Sequence, residues 1–115
     1  MLFSILATVV SIAVVPAGCF DPCNFRVTLR VEPAVDNTMV VLEVAAPDSD
    51  FYRRSDIEYN GQSARTREVV YMTVPAGTYK VIATLWKRDA DGYVRAAATA
   101  SKSVKILGDN IGLEN

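Results

Sequence analysis

The chain has no histidine and only two cysteines in its 115 residues. Without histidine, neither a Ser-His-Asp nor a Cys-His nucleophilic arrangement can be assembled. Two thiols also fall short of the four Cys or His ligands that a structural zinc takes. Neither sign of charge is in excess, with 12 Lys and Arg against 13 Asp and Glu. A surface that grips nucleic acid or anionic membrane by electrostatics alone needs a basic surplus, which this composition does not supply. There is no glycine-rich loop to cradle a phosphate, and no cofactor is expected. The carboxylate pairs offer little more. Asp48 and Asp50 sit in a polar stretch that reads as a solvated turn, and Asp89-Ala90-Asp91-Gly92 has half the letters of a calcium loop without the downstream Glu that completes it.

What is present begins with a charge-free apolar run, residues 2–15, ending in Pro16-Ala17-Gly18-Cys19 with Cys23 close behind. The run is short of the roughly 20 residues of a spanning helix and fits the apolar core of a secretory leader. Ala17-Gly18 before Cys19 resembles the lipobox of bacterial lipoproteins, although Pro16 departs from the aliphatic residue usual three before the cysteine. That resemblance implies a cut after Gly18 and a lipid on Cys19, making 1–18 a lipoprotein-type signal peptide and 19–24 a short tether to the membrane. A second reading takes Val15-Pro16-Ala17 as an ordinary small-x-small cleavage site, leaving Cys19 free to pair with Cys23 in an oxidising compartment. A third keeps the run as an uncleaved anchor or a hydrophobic first strand. The export readings place the protein in a bacterial cell envelope, lipid-anchored, or alternatively secreted or periplasmic and soluble.

The remainder is written in period two. Phe25, Val27, Leu29 and Val31 fall on one face of a strand, with Arg26, Thr28 and Arg30 on the other. Asp36-Asn37 supplies turn chemistry, and residues 39–44 make a second strand with Val40, Leu42 and Val44 inward. Residues 46–55 read as the longest loop. A short strand around Ile57 and Tyr59 stops at Asn60-Gly61, a strong turn dipeptide. Strands follow at 67–74, 79–87 and 94–106, with a corner at Pro75-Ala76-Gly77 and a hairpin turn at 89–92. Lys102 interrupts the apolar phase of the last strand, as a bulge or the end of burial would.

Six strands at this spacing favour a two-sheet sandwich, because a single open sheet would leave an apolar face in water. The run from Val74 to Val81, followed by the 89–92 turn and a final strand, looks like the last three strands of an immunoglobulin-like or fibronectin type III-like domain. The resemblance places Tyr79 at that fold's tyrosine corner, its hydroxyl bonded back to the preceding backbone. It also implies an all-β, two-sheet antiparallel Ig-like β-sandwich over 25–107, with 108–115 as a tail. Unlike antibody domains, this stretch lacks the inter-sheet cysteine pair and the core Trp between them. As a whole the chain is similar to small Ig-like lipoproteins of bacterial envelopes.

With Tyr79, Val81, Ala83 and Leu85 inward, strand parity sends Ile82, Thr84 and Trp86 to the outer face, beside Lys80. Ile82 and Trp86 there make a candidate binding patch, and Tyr52, Arg53 and Arg54 on the long loop make a second. Two function classes follow. One is a non-catalytic envelope or surface module that binds a protein partner or serves a structural role. The other is a small carbohydrate- or ligand-binding module that stacks a glycan on Trp86.

Overall fold

The computed structural model describes residues 10–16, 18–20, 22–47, 49–59 and 67–108, which form eight β-strands. These are β1 (Val10–Val15), β2 (Gly18–Phe20), β3 (Cys23–Val31), β4 (Asn37–Ala45), β5 (Tyr52–Glu58), β6 (Arg67–Val74), β7 (Gly77–Arg88) and β8 (Val94–Leu107). One sheet has the order β1-β3-β6 and the other β2-β8-β7-β4-β5. Period-two patterning decides which faces meet. Phe25, Val27 and Leu29 of β3 pack against Val40, Leu42 and Val44 of β4, with Val81, Ala83 and Leu85 of β7 and Val104 and Ile106 of β8 in the same cluster. Apolar area removed from water along these alternating rows is the main force holding the sheets together.

The strand order matches the immunoglobulin-like arrangement, with β8, β7, β4 and β5 in the positions of a variable-type G, F, C and C′ sheet. Tyr79 stands at the corner expected of it. Its ring is 2% exposed, its hydroxyl donates to the Pro75 carbonyl at 2.7 Å, and the Phe51 ring meets it edge-on at 4.9 Å.

Within the stretch read from sequence as leader and tether, Val10–Val15 and Gly18–Phe20 are strands here. β1 pairs with β3 over six residue pairs, from Val10↔Val31 to Val15↔Arg26. The chain then crosses at Pro16, where the Val15–Pro16 peptide is cis, and β2 joins the other sheet beside β8. That pairing is parallel, so the sandwich is not wholly antiparallel. Cys19 and Cys23 form a disulfide, with Cα atoms 6.0 Å apart, closing the turn from β2 into β3. Residues 1–9 lie outside the described residues.

Two further expectations are sharpened. The loop expected over 46–55 is shorter, because Ala46 donates to the Phe51 carbonyl (3.2 Å) and β5 starts at Tyr52. Lys102 sits in unbroken register opposite Val81, and the bulge lies instead where Leu85 faces Ala98 and Trp86 faces Ala96. Lys102 marks the end of burial, since Val104 and Ile106 are covered while Ala98 and Ala100 are half-buried. The Asn60-Gly61 turn falls outside the described residues, as does the tail beyond Gly108.

Asp89-Ala90-Asp91-Gly92 is a hairpin turn. Asp89 Oδ1 accepts the N–H groups of Asp91 (2.9 Å) and Tyr93 (3.0 Å), and Oδ2 takes Arg95 at 2.7 Å. Gly92 supplies the positive φ of 90° that the turn requires.

Candidate functional site

The register of the five-stranded sheet builds its outer face row by row. Residues directly opposite in an antiparallel pair share a face. Trp86 therefore aligns with Met39 and Glu58, Thr84 with Val41 and Asp56, Ile82 with Glu43 and Arg54, and Lys80 with Ala45 and Tyr52. On the other side these β7 residues face Ala96, Thr99, Ser101 and Ser103 of β8. The two patches separated in the sequence reading thus merge. Ile82, Trp86, Tyr52 and Arg54 lie on one face, while Arg53 does not.

Arg53 is opposite Val44, a core residue, so parity turns it to the inner side of β5. Its guanidinium stacks 4.4 Å from the centre of the Phe51 ring. There it borders a groove of about 250 Å³ between the open edges of β5 and β6, with Ser55, Val69 and Tyr71. Burial pushes the Tyr71 hydroxyl pKa up, opposed by Ser55 and Arg53 nearby.

On the outer face two polar pairs are formed within the sheet. The Tyr52 hydroxyl donates to Glu43 Oε2 at 2.7 Å, which raises the Tyr52 pKa because losing that proton would set two negative charges together. Arg54 holds Asp56 through Nε at 2.8 Å, and this carboxylate raises the Arg54 pKa. Val41 is 5% exposed in the middle of this face, and Ile82, Thr84 and Trp86 around it are half-buried. The Trp86 indole Nε1–H is shielded from solvent and has no hydrogen-bond partner among the described residues. The face is thus an apolar centre of Val41, Ile82 and Trp86, bordered on the β5 side by Tyr52, Arg54, Asp56 and Glu58 and on the β8 side by Ala96, Thr99, Ser101 and Ser103. Among the described residues of this face, no nucleophile stands beside a base.

Strand parity puts Val41 on the outer side of β4 from sequence alone, with partial cover expected there, but sequence reasoning missed Met39, Glu43 and Asp56 as members of this face. Val41 on the polar side of β4 was the available signal. Cys19, the residue singled out for lipidation, is half-buried in the disulfide, with exposed Phe20 and Leu107 beside it on the β2 edge.

The fold and this face define an all-β, two-sheet immunoglobulin-like sandwich. No family model matches the chain, and no curated protein does. Among solved structures it is similar to a superoxide reductase (neelaredoxin) from Ignicoccus hospitalis, with 13% identity over 86% of this chain and 80% of that one and a TM-score of 0.57. It is also similar to the PKD domain of an M14-like peptidase from Thermoplasmatales archaeon SCGC AB-540-F20, with 19% identity over 85% of this chain and 95% of that one and a TM-score of 0.48. At such identity the first of these shows a shared fold and nothing about activity.

Proposed function

We propose that this chain is a non-catalytic interaction module of an exported protein, and that it binds a protein partner through the outer face of its five-stranded sheet. The observation that carries the reading is the apolar centre of Val41, Ile82 and Trp86 on one sheet face, flanked by Tyr52 and Arg54. Trp, Tyr and Arg supply most of the energy at protein interfaces. The test is a photo-crosslinking residue at Ile82 to trap and identify the partner, repeated in W86A. Loss of the cross-link with unchanged circular dichroism supports the reading. A cross-link that persists in folded W86A overturns it. A shift of Trp86 fluorescence on titration with soluble glycans would instead move the face to sugar binding.

Export is the companion proposal. A disulfide between Cys19 and Cys23 is of the kind that persists in oxidising compartments. Acylation of Cys19 is incompatible with that bond, and the cut that precedes acylation would also remove β1. Intact mass of the protein from membranes separates the forms. A diacylated or triacylated chain beginning at Cys19 gives the lipid-anchored envelope protein, and an unacylated chain two hydrogens light gives the disulfide form.

A further inference from the structure

The open edge of β5 specifies what can pair with it. In the β4–β5 ladder Tyr59 donates to the Thr38 carbonyl (3.0 Å) and Ala46 to the Phe51 carbonyl (3.2 Å), with unbroken register between. Hydrogen-bonded pairs therefore fall on the odd-numbered residues of β5. The backbone N–H and C=O groups of Tyr52, Arg54, Asp56 and Glu58 point the other way, out of the sheet. β5 ends the strand order, so among the described residues no strand pairs with that row.

Charged side chains on an edge ordinarily block pairing. Here the order of signs blocks selectively. Two copies related by a two-fold axis can pair antiparallel through this row in three well-overlapped registers. Centring the axis on Arg54 sets each Arg54 against its own copy. Centring it on Asp56 sets each Asp56 against its own copy. Both registers oppose like charges directly, which is destabilising. Centring on Ser55 sets Arg54 of each chain opposite Asp56 of the other, twice by symmetry, with Tyr52 opposite Glu58. This register also spans the whole of β5. The Arg54–Asp56 pair that now closes within one chain at 2.8 Å then has a second, symmetric set of partners across the axis.

We propose that β5 is a self-pairing edge whose occupant is a second copy of this chain, joined antiparallel about Ser55 so that the two five-stranded sheets become continuous. The contact lies along the edge rather than on the Ile82 and Trp86 face. It goes beyond the partner reading above, and the two stand or fall separately.

Sedimentation equilibrium of the full chain over a concentration series tests it, with R54D, D56R and the double variant R54D/D56R. Each single reversal opposes like charges at two symmetric sites, and the dimer dissociation constant should rise by about tenfold or more. The double variant restores opposite signs in the same register and should return to near the wild-type value. Hydrogen exchange of the wild type adds a readout that needs no variant to fold. The Arg54 and Asp56 amides should gain protection as concentration rises. A chain that stays monomeric, a dimer indifferent to both single reversals, a double variant as weak as the singles, or Arg54 and Asp56 amides that stay unprotected in the dimer would each overturn the proposal.

Discussion

Thr73 has a left-handed backbone, at φ 56°, which is a costly place for a β-branched residue. Its position explains why. Cys23 faces Val74 and Phe25 faces Tyr71, so β6 carries two residues where β3 has only Asn24. Thr73 is the second residue of this bulge, and Asn24 Oδ1 accepts its N–H at 2.8 Å. T73G should stabilise the fold by about 1 kcal/mol, less whatever glycine adds to the entropy of the unfolded chain. A urea midpoint that rises confirms relief of strain, and one that falls shows the threonine side chain to be contributing packing. Asp89 makes the opposite contribution. Arg95, and after it the turn N–H groups, hold its carboxylate pKa below the usual range. A depressed folded pKa adds stability above the unfolded value near 4, and that contribution is lost as pH falls through the folded one. D89N should therefore be less stable than wild type at neutral pH, and the gap between their thermal midpoints should close as pH drops below about 4. A gap independent of pH would show that the charge is not what matters.

At the scale of elements, β1 is the strand whose role most needs measurement. Val10 and Ile12 are buried at 4% and 6% exposure, and the strand adds a ladder to β3. Burial of two such side chains is worth about 3–6 kcal/mol, set against a total of about 5–15 for a domain of this kind. A chain beginning at Cys19 should lose about that much in urea denaturation. Unchanged stability would show the sandwich to be complete without β1. The strands that sequence made legible, β3, β4 and β7, each bury one face and wet the other, so polarity alternates in the letters. The first half of β5 was hidden for a physical reason. β5 is an edge strand whose inner side carries Arg53 and Ser55 over an open groove, so both faces are polar there and alternation survives only around Ile57. β1 was hidden because a uniformly apolar run satisfies a leader and a buried strand equally well.

Across the whole molecule, the candidate face was half legible. Parity on β7 placed Ile82 and Trp86 outward from sequence alone. Bringing Tyr52 and Arg54 to them, and sending Arg53 away, required the β4–β5 register, which is a long-range property with no local signal. The two ends of the described chain also meet in a particular way. β2, near the beginning, and β8, at the end, run parallel and are hydrogen-bonded side by side, with Gly18 opposite Lys105 and Phe20 opposite Leu107. Tension applied between residues 10 and 108 would draw these strands past each other lengthwise, loading their bonds together rather than one after another. A chain held at both ends would resist such a pull as a lap joint does.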